Sequence, residues 1–269
     1  MKTLRTIFLV TSGLMGLLLT PGCSTDAMND LVADSNPTGS NPESAYPTDG
    51  QVGTSAADLL SSGTYSSILI EIAYTDAYAP QAQTLENLQA FLQELLNKPG
   101  GVTLHMLPLG STGKERLTAE DIRQLEARER TAFTSGRQLA VFALFADAEY
   151  DTGQTNGTVL GIAYQNTSVA LFGSSIQAFS DQPLEPSRTV LETTVLNHEF
   201  GHLLGLVNAG TPMQTDHQDV EHGRHCTSDT CLMYWTAETG EGILNMLSGG
   251  TVPPLDAACK TDLTANGGK

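Results

Sequence analysis

Two histidines and a glutamate stand together at a spacing that suits metal chemistry. His198 and His202 are four residues apart, so on a helix their side chains project from one face, about one turn apart. Two neutral imidazoles at this separation can bind one Zn²⁺, and a third protein ligand then leaves one coordination position for water. Glu199 lies between the two histidines, where it can take a proton from a metal-bound water. The segment therefore predicts a zinc site with Glu199 as the general base of a hydrolysis reaction.

A single helix is predicted to carry these three side chains. The stretch from Arg188 to Leu206 has apolar residues at helical spacing. Gly205 stands three residues after His202, and a glycine can end a helix there because it tolerates a positive φ.

Two motifs in this region resemble those of a known group of enzymes. His-Glu-x-x-His followed by x-x-Gly resembles the metzincin clan of zinc proteases. The later segment His225-Cys-x4-Cys-x-Met233 is similar to the part of archaemetzincins that holds the third zinc ligand and the methionine turn. In the clan the third ligand stands three residues after the glycine, but here that position is Asn208, a poor zinc ligand. The resemblance therefore implies an insertion, 208–224, that displaces the third ligand to His225.

The same resemblance, which covers Val195 to Met233, sets expectations for fold and activity. It implies an α/β (α+β) domain with a twisted mixed sheet, an active-site helix, a methionine turn that puts Met233 beneath the zinc, and a C-terminal helix. The implied activity is that of a zinc metallopeptidase, which hydrolyses peptide bonds with a metal-activated water.

Other residues could be the third ligand, and other classes of protein fit the motif. His217 and His222 lie in the inserted segment and are alternatives to His225. A thermolysin-like protease would instead use a glutamate, and the candidates are Glu221, Glu238 and Glu241. A non-catalytic, zinc-binding surface lipoprotein is a further alternative, although a structural zinc does not need the carboxylate of Glu199.

The cysteines depart from the archaemetzincin pattern. That family has a later Cys-x-x-Cys that completes a second, four-cysteine zinc site, whereas only Cys259 follows Cys231 in this chain. The sequence therefore argues against a second zinc. In an oxidising compartment we expect a disulfide between Cys226 and Cys231, for which Cys259 is a competing partner.

Alternating strand and helix patterns surround the motifs and predict an α/β domain with a mixed sheet. The predicted strands are 67–74, 102–109, 139–145, 158–164 and 168–172. The predicted helices are 83–97, 118–133, 188–206 and 255–265. By the same resemblance, the strand at 157–164 is the candidate edge strand for pairing with an extended substrate.

The N-terminal sequence predicts an export signal. Lys2 and Arg5 precede the apolar stretch Ile7 to Leu19, as in a secretory signal peptide. A small residue followed by Cys23 resembles the lipobox of bacterial lipoproteins. We therefore expect a signal peptide over 1–22, a lipid anchor at Cys23, a disordered tether over 23–56 and a zinc metalloprotease domain over 57–269. The expected location is the periplasm or the cell surface, attached to a membrane.

The composition and net charge limit the classes of partner that the chain is expected to bind. The chain has 269 residues, of which 40% are hydrophobic, and a formal net charge of −17. Nucleic acid needs a basic patch and is therefore not an expected partner. The expected partners are a peptide or protein substrate and, through the anchor, a membrane, and the chain is expected to be a monomer.

Overall fold

The structure, a computed structural model, describes residues 46–153 and 157–269. Its strands are β1 (Ser67–Thr75), β2 (Val102–Leu109), β3 (Arg116–Leu117), β4 (Gln138–Ala146), β5 (Glu149–Tyr150), β6 (Gly161–Gln165), β7 (Ser168–Phe172), β8 (Gln218–Asp219) and β9 (His225–Cys226). The main sheet has the order β2-β1-β4-β7-β6. Four of these strands run parallel and β6 runs antiparallel at one edge. The mixed sheet confirms the predicted fold class.

Seven helices accompany the strands in the described part of the chain. They are α1 (Ala56–Leu60), α2 (Ala82–Leu95), α3 (Ala119–Glu129), α4 (Gly173–Ala178), α5 (Arg188–Leu203), α6 (Gly240–Met246) and α7 (Ala257–Ala265). Among the helices that the structure describes, none is both long and apolar enough to span a bilayer.

The sheet is covered on both faces, which explains the nearly continuous apolar runs of its central strands. In β4, Val141 and Phe145 pack with residues of α2 and α5, while Phe142 and Leu144 pack on the opposite side with Ile122 of α3. Burial on both faces makes β4 an interior strand, and the helix that carries the candidate metal ligands is held against one of these faces.

The strand predictions at 67–74, 102–109, 139–145 and 168–172 are confirmed to within one residue at each end. The strand predicted at 158–164 begins later, at Gly161, because the residues before it bond to another segment. The N–H of Leu160 donates to the carbonyl of Glu238, and the N–H of Gly240 donates to the carbonyl of Thr158. The chain next to β6 is therefore attached to the segment that follows the methionine turn.

Helix α3 shows how local chemistry sets a boundary. Thr118 caps its start with a capping box: the hydroxyl accepts from the Asp121 N–H, and the Asp121 carboxylate accepts from the Thr118 N–H. The helix ends at Glu129 rather than at residue 133, because the N–H of Thr131 donates to the buried carboxylate of Glu71, 2.9 Å away, instead of continuing the helix.

The segment before α1 lies against the domain. Tyr46 donates a hydrogen bond to Ser55, and Asn166 donates to the carbonyl of Pro47 and exchanges backbone and side-chain hydrogen bonds with Gly50. Residues 46–55 are thus packed, although they belong to the predicted tether. The predicted signal peptide, Cys23 and the rest of the tether up to residue 45 lie outside the described residues.

Candidate metal centre

Helix α5 places His198, Glu199 and His202 in the interior. Each of the three side chains is fully buried. The helix begins at the cap residue Ser187, whose hydroxyl accepts from the N–H of Val190. It ends just before Gly205, whose φ of +80° lies in the region that favours glycine. The helix thus ends at Leu203, three residues before the predicted Leu206, because the chain turns at Gly205.

The ring nitrogens of His198 and His202 face each other. His198 Nδ1 lies 2.8 Å from the carbonyl oxygen of Leu232, which accepts the proton on Nδ1 and leaves the lone pair of Nε2 free. The two Nε2 atoms are 3.1 Å apart. Two nitrogens of a tetrahedral zinc site are about 3.3 Å apart when each Zn–N bond is about 2.0–2.1 Å. The pair is therefore spaced like two ligands of one metal ion.

Burial also sets the protonation of this pair. Burial, and then the neighbouring histidines, lower the pKa of His198 to about 4 and the pKa of His202 well below its usual value. Both imidazoles are therefore neutral at physiological pH, which is the form that binds a metal.

His225 joins the pair from β9. The short antiparallel ladder with β8 pairs His225 with Asp219, and the Nδ1 atom of His225 lies 2.5 Å from the carbonyl oxygen of His222. The His225 ring stacks on that of His198, with centroids 5.3 Å apart. Its buried Nε2 atom has no hydrogen-bond partner among the described residues. The structure thus brings the predicted third ligand to the other two.

A fourth group, Glu238, completes the cluster. Its carboxylate lies 3.9 Å from His198 Nε2 and 3.6 Å from His225 Nε2. Candidate ligand atoms of the three histidines and Glu238 all lie within 4.8 Å of one another. Although burial alone would lower the pKa of His225, the charge of Glu238 raises it above its usual value. From the sequence, Glu238 was predicted only as an alternative to a third histidine ligand. The structure places both Glu238 and a third histidine, His225, at the site.

Glu199 lies beside this cluster with its carboxylate enclosed. Neither carboxylate oxygen forms a well-oriented hydrogen bond with a described residue, although the backbone of Ala163 in β6 faces the group. Burial, and then the charge of Glu238, raise the pKa of Glu199 well above its usual value. A buried carboxylate without a strong donor favours taking up a proton, which is what a general base must do.

Met233 packs against the helix that carries two of the candidate ligands. Its side chain is fully buried and lies so close to α5 that a methyl group placed at Gly201 would come within 2.3 Å of the sulfur atom. The Met233 carbonyl accepts from the N–H of Cys226, 2.7 Å away, so the turn is tied to β9 and to His225. The methionine turn is therefore held against α5 and next to His225.

The rival ligands lie elsewhere. The ring of His222 stacks on Trp235, with centroids 4.3 Å apart, and its Nδ1 atom pairs with Asp219. His217 contacts the Cys226 sulfur instead of the three-histidine cluster. Of the other glutamates considered, Glu221 is exposed, and the side chain of Glu241 lies outside the described part of the structure.

The predicted Cys226–Cys231 disulfide is not formed. All three cysteines in the described residues are free and buried. The Cys226 thiol instead donates to Asp256 and lies 3.4 Å from His217 Nδ1. The Cys231 sulfur lies 3.7 Å from that of Cys259, well beyond the disulfide bond length of about 2.05 Å. The described part of the chain therefore has three free thiols in place of the predicted disulfide.

When the chain is compared with known proteins, it matches solved structures in fold but matches no sequence family. No protein-family model and no curated protein sequence matches it. Among solved structures, archaemetzincin from Methanopyrus kandleri matches with a TM-score of 0.50 and 15% identity, over 76% of this chain and 96% of that one. A zinc-dependent peptidase from Methanocorpusculum labreanum has a TM-score of 0.45 at 15% identity, over 72% of this chain and 99% of that one. Metalloproteinase-II from Bacteroides fragilis has a TM-score of 0.39 at 17% identity, over 90% of this chain and 60% of that one. The fold of this chain is therefore similar to that of an archaemetzincin.

Proposed function

We propose that this protein is a zinc-dependent endopeptidase. The observation that carries the proposal is the convergence of ring nitrogens of His198, His202 and His225 beside the buried, unpaired carboxylate of Glu199. Three nitrogen donors that leave one position open are a usual ligand set of a catalytic zinc, whereas structural zinc sites are closed by four protein ligands.

The residues fit this metal by chemistry and by position. The 3.1 Å separation of the His198 and His202 Nε2 atoms matches a zinc site, and the Nε2 atom of His225 forms no hydrogen bond with a described residue. When bound, Zn²⁺ polarises a carbonyl group and lowers the pKa of a water molecule towards neutrality. The carbonyls of Leu232 and His222 orient two of the imidazoles by accepting their Nδ1 protons.

In the proposed reaction Glu199 accepts the proton of the attacking water. Its buried carboxylate then holds that proton and can pass it to the leaving amine. The fully buried side chains around it exclude bulk water, which strengthens the interaction between Glu199 and the proton that it holds. Glu199 is therefore the catalytic residue that the chain itself contributes, and the three histidines are ligands.

For the substrate we propose an extended peptide that adds a strand to β6. This strand pairs with β7 on one side, and in the described structure no strand pairs with its other side over Gly161–Gln165. A methyl group placed at Gly161 would come within 3.0 Å of the Glu199 carboxylate, so β6 runs directly beside the general base. Strand addition gives backbone hydrogen bonds to a peptide of any sequence.

A second candidate function is a non-catalytic metal-binding protein, and Glu238 is the observation that favours it. If the Glu238 carboxylate, which lies 3.6 Å from His225 Nε2, takes the fourth coordination position, no place is left for water. Such a closed site would bind metal without hydrolysing peptides.

For the location we propose a lipoprotein attached to a membrane through Cys23. The proposal rests on the basic residues and the apolar stretch that precede this cysteine in the sequence. Metabolic labelling with a fatty acid tests it, because the label is expected on the wild-type chain and not on Cys23→Ser.

The enzymatic proposal is tested by peptide hydrolysis with zinc-loaded full-length chain. A mixed peptide library is incubated with the protein, and new termini are identified by mass spectrometry. Glu199→Gln is the matched variant, since it keeps the shape of the side chain but cannot accept the proton. We expect cleavage by the wild-type chain, none by the variant, and equal zinc in both. Equal zinc without cleavage by either protein would favour the non-catalytic alternative.

A further inference from the structure

The segment before α1, residues 46–55, is bound to two other parts of the chain, and each of these parts leads to the candidate metal centre. We call this segment the N-terminal strap. One contact is with the turn between β6 and β7, and the other is with the start of the inserted segment 208–224. The strap therefore joins the edge strand to the segment that precedes the third ligand.

A single buried asparagine in the β6–β7 turn binds the strap. Asn166 is only 2% exposed. Its side-chain amide donates to the carbonyl of Pro47 at 2.9 Å and to the hydroxyl of Ser55 at 2.8 Å. Its side-chain oxygen accepts from the N–H of Gly50 at 3.0 Å, and its own N–H donates to the Gly50 carbonyl at 2.8 Å. Because these four bonds all go to the strap, Asn166 fixes the strap to the end of β6.

The second contact is a crossing of two backbones. Gly53 is buried and has a φ of +83°. A methyl group there would come within 1.4 Å of the carbonyl oxygen of Ala209, and one at Gly210 would come within 2.4 Å of the carbonyl oxygen of Gly53. The strap and the start of the inserted segment therefore touch along their main chains, at a distance that only glycine allows.

The inserted segment starts in a conformation that needs such support. Val207 and Asn208, just before the crossing, have φ values of +54° and +61°. A positive φ is costly for a β-branched residue such as valine, and it persists only where the surroundings impose it. On the other side of the crossing Ala56 lies against Gly205, where a methyl group would come within 2.9 Å of the Ala56 β carbon. The strap thus lies against the strained turn in which α5 passes into the inserted segment.

A short series of contacts leads from the crossing to the third ligand. The carbonyl of Asn208 accepts a hydrogen bond from the guanidinium of Arg224, and Arg224 directly precedes His225. This bond joins the two ends of the inserted segment, so the position of its start affects the position of His225. The ladder that β8 forms with β9 is only two residues long, and the segment therefore depends on support from outside.

We propose that the N-terminal strap is a positioning element for the three-histidine site, which consists of His198, His202 and His225. By holding the start of the inserted segment against the end of α5, the strap keeps His225 where its ring nitrogen can share one ion with the other two. The strap residues are positioning residues and not ligands. The proposal rests on the proposed zinc site, but it does not depend on peptide hydrolysis.

The test is the rate at which full-length, zinc-loaded protein releases zinc to an excess of chelator. Trp235 is the single tryptophan of the chain and stacks on His222, whose carbonyl binds His225 Nδ1. Its fluorescence therefore follows the loss of zinc at the three-histidine site. A third ligand that is held less firmly leaves the ion more often, so weakening the strap should make the release faster.

Gly53→Ala breaks the crossing, and Gly101→Ala is its matched control. Gly101 has nearly the same φ, +80°, but a methyl group there meets nothing within 4 Å. We expect Gly53→Ala to release zinc about tenfold faster than the wild-type chain, the lower end of the range for residues that support metal ligands. Gly101→Ala should release it at the wild-type rate.

Asn166→Ala tests the same claim from the other contact, and it removes atoms instead of adding them. We expect faster zinc release here too, and the double variant with Gly53→Ala should fall short of the product of the two effects, since each frees the same strap. Urea unfolding of each variant shows what part of it is folded during the measurement. Wild-type release rates in both folded variants, even with lowered stability, would overturn the proposal.

The same samples separate this proposal from the enzymatic one. If the wild-type chain binds zinc but cleaves no peptide, the enzymatic proposal fails, and the release rates still decide the role of the strap. If the wild-type chain binds no zinc at the three histidines, both proposals fail.

Discussion

The sulfur atom of Met233 lies directly against the backbone of Gly201. A methyl group at Gly201 would come within 2.3 Å of this sulfur, so the space between α5 and the methionine turn admits no side chain at residue 201. The preceding residue, Leu232, accepts the Nδ1 proton of His198 through its carbonyl oxygen. The contact between Gly201 and Met233 and the hydrogen bond from His198 to Leu232 therefore both join α5 to the methionine turn.

The first prediction concerns this contact. Gly201→Ala should lower the free energy of unfolding by about 1–3 kcal/mol, the range for overpacking a core. Met233→Ala alone should lower it by about 2–5 kcal/mol through the cavity it leaves. In the double variant the alanine at 201 should cost much less, because the sulfur is gone. Urea unfolding of all four proteins measures this coupling, and strictly additive effects would show that the two residues do not meet.

The second prediction identifies the third ligand. His225→Ala should remove the metal of the three-histidine site and abolish peptide hydrolysis. His222→Ala is the matched control, because its ring stacks on Trp235 and the hydrogen bond to His225 comes from its backbone carbonyl, which the substitution keeps. Zinc content and hydrolysis are measured on both variants. Retained hydrolysis in His225→Ala would assign the third position to another group.

The third prediction concerns Glu238. In the catalytic account this carboxylate is a neighbour of the ligands and leaves the water position open. Glu238→Gln should therefore keep the zinc of the three-histidine site and should not hydrolyse peptides faster than the wild-type chain. If Glu238 instead occupies the fourth position, the variant should open the site and gain activity. The rates of wild type and variant on one peptide, at matched zinc content, separate the two cases.

The fourth prediction concerns the strand beside the general base. Gly161→Ala would place a methyl group within 2.5 Å of a Val195 methyl carbon and 3.0 Å of the Glu199 carboxylate. We expect kcat to fall by about tenfold or more, as for small misplacements of catalytic groups, while zinc is retained. Gly110→Ala is the control, because a methyl group there meets nothing within 4 Å. Equal kcat in both variants would mean that β6 does not position Glu199.

The sequence allowed prediction of the parts of the site that depend on local periodicity. The four-residue spacing of His198 and His202 holds because both lie on one helix, and Gly205 marks the end of that helix because its φ is positive. The buried strands were predictable because β1 and β4 are apolar along almost their whole length. In each case the residues that determine the feature lie within one helix or one strand.

The remaining parts depend on contacts between distant segments. Glu238 reaches the histidines because its backbone carbonyl accepts from the N–H of Leu160, a pairing that no periodicity encodes. His217 was considered as a ligand of the three-histidine site, and its meeting with Cys226 depends on the path of the inserted loop and on Asp262 in α7. The predicted Cys226–Cys231 disulfide is likewise absent from the structure, in which the three described cysteines are free and Cys226 contacts His217 and Asp256.

The central claim is that three histidines bind a metal ion and leave one position open beside Glu199. The most direct measurement is an anomalous difference map, collected at the zinc absorption edge from crystals of zinc-loaded protein. We expect a peak about 2.0–2.1 Å from ring nitrogens of His198, His202 and His225, with a water as the fourth ligand. The absence of a peak there, or a peak whose fourth ligand is the carboxylate of Glu238, would contradict it.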